Sequence, residues 1–201
     1  EEKTDTTEDK KEEKVENTDG PVEGGTFIVS LSKEPSQFNP CATADNAAYQ
    51  IIQNTFNKLL KINGNGEIIN DLAESYEYED EGKTLIFHLH KDVKWHDGED
   101  FSAEDVKWTF DEIMDKKGFA SSSLASVESV EVKDKDTVVF HLSQPDSGLL
   151  GYIAWMGTYI MPKHIYEGTD WLTNDANYNP IGTGPFKFVE MVEGELSLIH
   201  I

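Results

Sequence analysis

The chain has 201 residues, 37% of them hydrophobic, which is enough to build a core in one large domain or two small ones. Acidic residues number 39 and basic residues 17, so the formal net charge is −22 at pH 7. A surface this negative repels phosphate groups, so we expect neither a nucleic-acid partner nor electrostatic binding to an anionic membrane surface.

The first 25 residues contain almost no apolar side chains and consist mainly of Glu, Asp, Lys and Thr. Such a segment cannot bury enough surface to offset the entropy of ordering. We predict a disordered acidic tether over residues 1–23, with an end-to-end distance of roughly 25–30 Å. A ragged terminus without a role is the alternative.

The next segments predict a strand, a helix and a hairpin. Residues Thr26–Ser32 are rich in β-formers and predict a strand. Asp45 can cap a helix over Asn46–Lys58, because apolar residues recur there with the 3.6-residue period. The sequence NGNG between Leu59–Ile62 and Glu67–Ile69 is a hairpin turn signal.

The middle of the chain predicts a strand, a capped helix and a second hairpin. Thr84–His90 alternates apolar residues and reads as a strand. Ser102 opens the sequence SAED, a capping-box pattern, and begins a helix that we end at Gly118. Val127–Val132 and Val138–Leu142 alternate around a charged turn.

The last part of the chain predicts a helix over Pro145–Ala154 and a strand at Tyr159–Met161 that leads into a helix at Pro162. Phe186–Val192 predicts a final strand. Short strands mixed with separate helices favour a mixed α+β or α/β fold and disfavour a helical bundle.

The final six residues, LSLIHI, are those that the common transposase adapter CTGTCTCTTATACACATC encodes when it is translated in frame. We therefore predict that residues 196–201 are a non-native tail and that the natural protein continues beyond residue 195. A genuine short strand is the alternative, and the codons of the gene distinguish the two.

Two patterns suggest a bound ion but have simpler interpretations. His88 and His90 share a strand face at a spacing that can hold a metal, with His96 or Asp97 as the nearby third ligand. We favour a solvated polar face and predict no metal site. Gly182–Gly184 leads into a strand and lacks the context of a phosphate loop, which indicates a turn that needs glycine.

The sequence contains no nucleophile elbow, no HExxH and no Cys/His signature, so we predict no enzyme activity and no cofactor. Paired carboxylates stay open, and a hydrolase that uses them is an alternative. The single cysteine, Cys41, cannot form an internal disulfide. The sequence shows neither a signal peptide nor an apolar run of the ~20 residues that span a bilayer.

Four aromatic residues lie near a Ser-rich turn, Ser121–Ser123, and we weigh two interpretations for them. Aromatic side chains beside small polar ones are typical of a ligand cleft. Ordinary core packing explains them equally well. The four are Phe119, Tyr152, Trp155 and Tyr159.

Residues 71–110 resemble the signature region of family 5 extracellular solute-binding proteins. The shared features are LAES, the F-x-L strand, the WHDG turn and the AEDV helix start, and His90 stands where the family usually has arginine. The segments EPSQFNP, YIMPKHIY and NPIGTGPFKFVEMVEGE agree, so the resemblance covers nearly all of residues 24–195.

The resemblance implies a class II periplasmic-binding-protein fold with two lobes, of which this chain holds part of the first lobe and a small inserted domain. Lobe I would comprise residues 24–44 and 181–195, and the inserted domain residues 45–180. We expect this chain alone to bind ligand weakly, because one wall of the cleft is missing.

The resemblance also implies a monomer that captures peptides outside the cell and delivers them to the membrane permease of an ABC importer. It places Glu34, Ser36, Phe119 and Ser121 at the ligand, and Trp155 and Tyr159 with less support. Relatives bind nickel chelates, haem or oligosaccharides, and a sensor or adhesion domain is a further alternative. The acidic tether suggests a lipoprotein whose anchoring cysteine precedes Glu1; in a Gram-negative organism the protein would be periplasmic.

Overall fold

The computed structural model describes residues 29–192 and the backbone of residues 196–200. The predicted tether, residues 1–23, lies outside the described residues, as do residues 26–28 of the predicted strand Thr26–Ser32. The described half of that strand, from Val29 to Ser32, has no regular secondary structure, so the strand is not found there.

Helix α1 spans Asn46–Thr55, and the Asp45 carboxylate caps it by accepting the backbone N–H of Ala47 at 2.9 Å. The helix ends three residues before the predicted end because Phe56 is extended. The predicted buried stripe is confirmed. Its members are Ala48, Ile51, Ile52, Thr55, Phe56 and Leu59.

A short hairpin follows the helix, as predicted. Strands β1, Leu60–Ile62, and β2, Ile68–Asn70, pair antiparallel, and Ile62 lies opposite Ile68. The backbone N–H of Gly66 donates to the Asn63 carbonyl at 3.0 Å, which closes the NGNG turn.

The central element is a four-stranded antiparallel sheet with the order β3-β4-β6-β5. Its strands are β3 at Ala73–Glu79, β4 at Thr84–Leu89, β5 at Val127–Asp134 and β6 at Thr137–Leu142. Strands β4, β5 and β6 match the predictions within two residues. Strand β3 was not predicted, although Tyr76 and Tyr78 alternate with glutamates in it; only Ala73 is buried.

Helix α2, Ala103–Asp115, packs on strands β5 and β6. The Asp105 carboxylate accepts the backbone N–H of Ser102 at 2.9 Å, which confirms the acidic half of the predicted capping box. At the other end the left-handed residue is Lys117, and the N–H of Gly118 donates to the Ile113 carbonyl at 2.8 Å. The helix therefore ends at Asp115, three residues before Gly118.

The main core lies between the sheet and α2. Phe110 and Phe140 meet edge to face, with ring centroids 4.8 Å apart, and Phe87 packs on Phe140 at 5.5 Å. The fully buried apolar members of this interface include Leu85, Phe87, Leu89, Val106, Phe110, Ile113, Val138 and Phe140.

The remaining elements are short. Helix α3 spans Leu149–Ala154, so the predicted helix begins four residues late, and α4 spans Lys163–Tyr166 with Pro162 as its N-cap. Tyr159–Met161 is not a strand. Strand β7, Lys187–Val192, pairs antiparallel with β8, Leu196–His200. Whether residues 196–201 are native stays a prediction for the gene sequence to settle.

A second apolar cluster surrounds helix α1, and it contains Phe38, Ala48, Tyr49, Ile51, Ile52, Phe56 and Tyr159. Leu31, Phe188 and Met191 pack against it, so the segment before α1 and strand β7 share one core. None of the helices within residues 29–192 is long and apolar enough to cross a membrane.

Candidate ligand-binding surface

The loop before α1 is held rigidly by one buried side chain. The Asn39 side-chain oxygen accepts the backbone N–H groups of Cys41 and Ala42 at 3.0 and 3.1 Å. Its amide nitrogen donates to the Trp171 carbonyl at 2.9 Å. Because Asn39 is fully buried, these bonds fix the loop shape in the absence of a ligand.

This loop joins the segment that follows α2. The backbone N–H of Phe119 donates to the Cys41 carbonyl at 2.8 Å. A side chain at Gly118 would place its Cβ 3.0 Å from the same carbonyl and 2.9 Å from the Trp171 ring. The two segments therefore approach too closely for a larger residue at position 118, and Phe119 is held at the surface.

A third segment, residues 157–158, approaches Phe119. We call the contacts among the loop 39–42, residues 118–119 and residues 157–158 the seam. A Cβ at Gly157 would lie 2.8 Å from Cδ1 of Phe119, and Gly157 has a φ of +87°, so glycine is required there on both counts. The Thr158 hydroxyl donates to the Ile153 carbonyl at 2.8 Å, which ties this segment to the end of α3. Phe119 thus lies against Gly157.

Three aromatic side chains remain exposed on the elements that meet here. Phe119 is 46% exposed, Tyr152 on α3 is 46% exposed, and Trp155 at the end of α3 is 57% exposed. Helix α3 packs beside the 3₁₀ turn Ser121–Leu124, in which Ser121 is half-buried. We call Phe119, Tyr152 and Trp155 with Ser121 the aromatic surface and take it as the candidate site.

Glu34 and Ser36 lie on the exposed loop near the start of α1. The Asp45 carboxylate anchors that loop through an ion pair with Lys33 at 3.0 Å and a hydrogen bond from the Ser36 backbone N–H at 3.4 Å. Burial alone would raise the pKa of Asp45, but bonds from Lys33 and backbone N–H groups hold it below its ordinary value. Asp45 therefore stays ionised at neutral pH.

Tyr159 differs from the other predicted site residues because it is only 5% exposed. Its ring lies 6.3 Å from that of Tyr49, and the Lys58 ammonium sits 4.6 Å from its centroid. Burial raises the pKa of Tyr159 to about 12. In this chain Tyr159 belongs to the second core cluster, and a contact between Tyr159 and ligand stays a prediction.

The predicted histidine pair forms no metal centre in the part of the chain described. His88 pairs with Glu77 at 3.3 Å, and no group of three metal-ligand side chains occurs in residues 29–192. The alternative third ligand, His96, instead contacts Gly182 and Gly184. His88 is half-buried on β4, whereas His90 is exposed and lies just beyond the end of that strand.

The structure brings Phe119 and Ser121 close to the helix that ends before Trp155, whereas sequence reasoning missed Asn39 and Gly157. Asn39 acts through side-chain bonds to backbone groups far away in sequence, and no local pattern signals such contacts. Gly157 is an isolated glycine in the sequence YIAWMG, and its close approach to Phe119 has no local sequence signal.

The comparisons with known proteins give the class of the chain. The family profile described as Bacterial extracellular solute-binding proteins, family 5 Middle, matches residues 67–199. This chain belongs to that family.

Individual proteins with similar sequences support this family assignment. The oligopeptide-binding protein AppA of Bacillus subtilis is 34% identical over 181 residues, which cover 87% of this chain and 33% of AppA. The dipeptide-binding protein of Escherichia coli K12 is 30% identical, over 83% of this chain and 35% of the relative. The chain therefore spans about a third of the length of these relatives.

Solved structures confirm the periplasmic-binding-protein fold. AppA in complex with a nonapeptide superposes with a TM-score of 0.75 at 34% identity, over 82% of this chain and 34% of AppA. NikZ of Campylobacter jejuni in complex with Ni(L-His) gives 0.74 at 30% identity, over 83% of this chain and 33% of NikZ. The chain thus corresponds to about a third of each of these structures; which lobe it forms stays a prediction.

Proposed function

We propose that the complete protein is the substrate-binding component of an ABC importer and that it captures oligopeptides or dipeptides. The observation that carries this proposal is the aromatic surface, in which Phe119 is fixed by Cys41 and Gly157 next to the exposed end of α3. The names of the relatives AppA and the dipeptide-binding protein support peptides as the ligand class.

The aromatic surface suits a ligand that varies in side chain. Aromatic rings offer large contact area at low entropic cost and accept many apolar groups. A peptide backbone can pair with protein backbone in the manner of an added strand, which gives affinity independent of sequence. A second lobe that closes over the surface would bury the ligand and shift the protein towards the closed state.

A nickel chelate is the second candidate, because NikZ with Ni(L-His) is as similar in fold as AppA with its nonapeptide. Both ligands carry amino-acid groups, so a site of the same shape could serve either. The aromatic surface favours the peptide, since its three half-exposed rings contribute mainly apolar contact area and contain no imidazole or thiolate ligand.

We also propose where the complete protein is located and which membrane protein it contacts. The family is described as extracellular. We place the protein outside the cytoplasm as a monomer, tethered by the acidic segment and a lipid on a cysteine before Glu1, where it docks on the importer's permease subunits. A Cys codon within a lipobox immediately upstream of Glu1 is the expected finding, and another codon there refutes the anchor.

The experiment is calorimetric titration of the complete protein with a mixed peptide library, with Ni²⁺ plus L-histidine, and with oligosaccharides. We expect saturable binding to peptides only. Phe119→Ala and Trp155→Ala should each weaken it by about tenfold or more, the loss expected when a stacked aromatic is removed. Tyr78→Ala, which removes an exposed ring on edge strand β3, is the matched control and should bind as the unaltered protein does.

Saturable binding to Ni(L-His) or to sugars alone would refute the peptide assignment while leaving the aromatic surface in place as the site. Full peptide affinity in both ring variants would refute the site while leaving the ligand class. Turnover of the peptides during titration would instead support the hydrolase alternative.

A further inference from the structure

His96 connects two segments that are far apart in sequence. Its ring Nδ1 lies 3.3 Å from the backbone nitrogen of Gly182, and its Nε2 lies 2.8 Å from the Gly184 carbonyl. Its own backbone N–H donates to the Gly182 carbonyl at 2.9 Å, and its carbonyl accepts from Lys187 Nζ at 3.0 Å. We call the turn 95–98, the loop 180–186 and these contacts the His96 junction.

The partners of the ring fix its protonation state. The Gly182 N–H can only donate, so Nδ1 must present its lone pair. The Gly184 carbonyl can only accept, so Nε2 must carry the proton. The junction therefore requires the neutral Nε2–H tautomer, and a second proton on Nδ1 would set one donor against another.

The loop 180–186 cannot move closer to helix α1, because two of its glycines already touch the end of that helix. A Cβ at Gly182 would lie 1.9 Å from the Thr55 carbonyl oxygen, and one at Gly184 would lie 2.5 Å from that of Asn54. The loop thus lies directly on the end of α1, where the Gly184 N–H donates to the Thr55 carbonyl at 2.8 Å. Strand β7 starts at Lys187, so the junction determines where that strand leaves the inserted region.

We propose that the His96 junction is a pH-responsive joint, closed when His96 is neutral and opened when the imidazole accepts a second proton, so that loop 180–186 and the start of β7 loosen in mildly acidic conditions. In the domain division expected from the resemblance, this joint links the inserted domain to the returning segment of lobe I. The proposal concerns this link and is independent of the ligand.

The surrounding charges favour the closed state at neutral pH. Partial burial is the main cause that lowers the pKa of His96 below the ordinary value for histidine, and the Lys187 ammonium acts in the same direction. The hydrogen bond to the Gly184 carbonyl and the charge of the Asp97 carboxylate act in the opposite direction and raise the pKa of His96. Asp97 also contacts the His164 ring at 2.8 Å.

The direction of the pH effect follows from this pKa order. The folded protein holds the neutral form more strongly than the open state does, so the junction is at full strength above a pH of about 6.5. As the pH falls from there towards the lower folded pKa of His96, the open state binds the extra proton first. The opening equilibrium then increases by at most about tenfold per pH unit.

The test is amide hydrogen exchange of the complete protein between pH 7.5 and pH 5, corrected for intrinsic exchange rates. We expect the Gly182 amide to lose protection as the pH falls below about 6.5, by at most about tenfold per pH unit. His96→Asn keeps an acceptor near the Nδ1 position but cannot be protonated, so its Gly182 amide should lose the pH dependence. His141→Asn, which alters an exposed histidine on β6 that pairs with Glu131, is the control and should behave as the unaltered protein does.

A measurement without any substitution keeps the proposal testable if His96→Asn fails to fold. Nitrogen chemical shifts of the His96 ring should show protonated Nε2 and bare Nδ1 at pH 7.5. Protonated Nδ1 at that pH would overturn the proposal. Equal pH dependence at Gly182 in the unaltered protein and in His96→Asn would overturn it as well.

Discussion

Replacing Gly182 by alanine tests whether the loop lies directly on the end of α1. The added Cβ would sit 1.9 Å from the Thr55 oxygen and 2.7 Å from the Thr55 carbonyl carbon, both of them backbone atoms. Neither atom can move aside as a flexible side chain would. The loop itself must shift by more than an ångström.

That shift breaks the hydrogen bonds that hold the loop. The bonds lost are Gly184 N–H to Thr55, Gly182 N–H to His96 Nδ1 and His96 Nε2 to Gly184. At about 1 kcal/mol for each of three bonds, Gly182→Ala should lower the free energy of unfolding by about 3 kcal/mol. This is within the range measured for other overpacked sites.

Urea denaturation followed by tryptophan fluorescence is the assay. With a denaturant slope of about 2 kcal/mol per molar urea, the midpoint should fall by about 1.5 M. Gly64→Ala is the control, because nothing lies within 4 Å of its added Cβ, and its midpoint should stay within about 0.25 M of the parent. A Gly182→Ala midpoint as close to the parent as that would refute the packing of the loop on α1.

Three further predictions concern buried polar groups. Asp71→Ala should cost about 2–3 kcal/mol in a urea titration, because the carboxylate accepts from the Asn57 amide at 3.0 Å, from Lys61 Nζ at 3.0 Å and from the Lys58 backbone N–H at 3.0 Å; a loss under 0.5 kcal/mol would contradict this. Burial lowers the pKa of Lys58 to about 8, so the charged side chain costs stability below pH 8 and less as the pH rises towards the unfolded value. Lys58→Met should therefore stabilise the protein by about 1–3 kcal/mol at pH 7 and by clearly less at pH 9.5, and an equal gain at both would refute it. Burial also raises the pKa of the fully buried Cys41 thiol, so a thiol reagent should label it only after denaturant is added, and rapid native labelling would contradict its placement.

Elements with a local signal were predicted well from the sequence. Helix α1, the capping box of α2 and both hairpins each depend on residues within four positions of one another, such as Asp45 with Ala47 and Ser102 with Asp105. The burial of the α1 stripe follows from periodicity alone. Patterns of this kind are complete within one segment, so no tertiary information is needed to read them.

Elements with little local signal were missed or misplaced. Strand β3 is an exposed edge strand that pairs with β4 through its backbone, and its only local signal is the alternation of Tyr76 and Tyr78 with glutamates. Tyr159–Met161 has strand-like composition, yet Ile160 donates its N–H to the Asn57 carbonyl and the segment passes through the core without a partner strand. In both cases tertiary contacts decide the conformation.

The candidate site was likewise only partly predictable from the sequence. Exposed aromatics near serines were visible in the sequence as a group, but only the structure separates the exposed Phe119 and Trp155 from the buried Tyr159. The seam that supports them depends on Asn39 and Gly157, whose contacts are long-range. Composition can therefore suggest a group of candidate binding residues, but only the structure shows which of them are exposed.

The central claim is that the aromatic surface and its seam form one wall of the ligand cleft. Hydrogen exchange of the complete protein, measured with and without a saturating bound peptide, tests this most directly. We expect added protection in residues 39–45, 118–124 and 152–158, and none on strands β5 and β6 of the central sheet. Protection confined to that sheet, or unchanged exchange in all three segments while peptide is bound, would contradict the account.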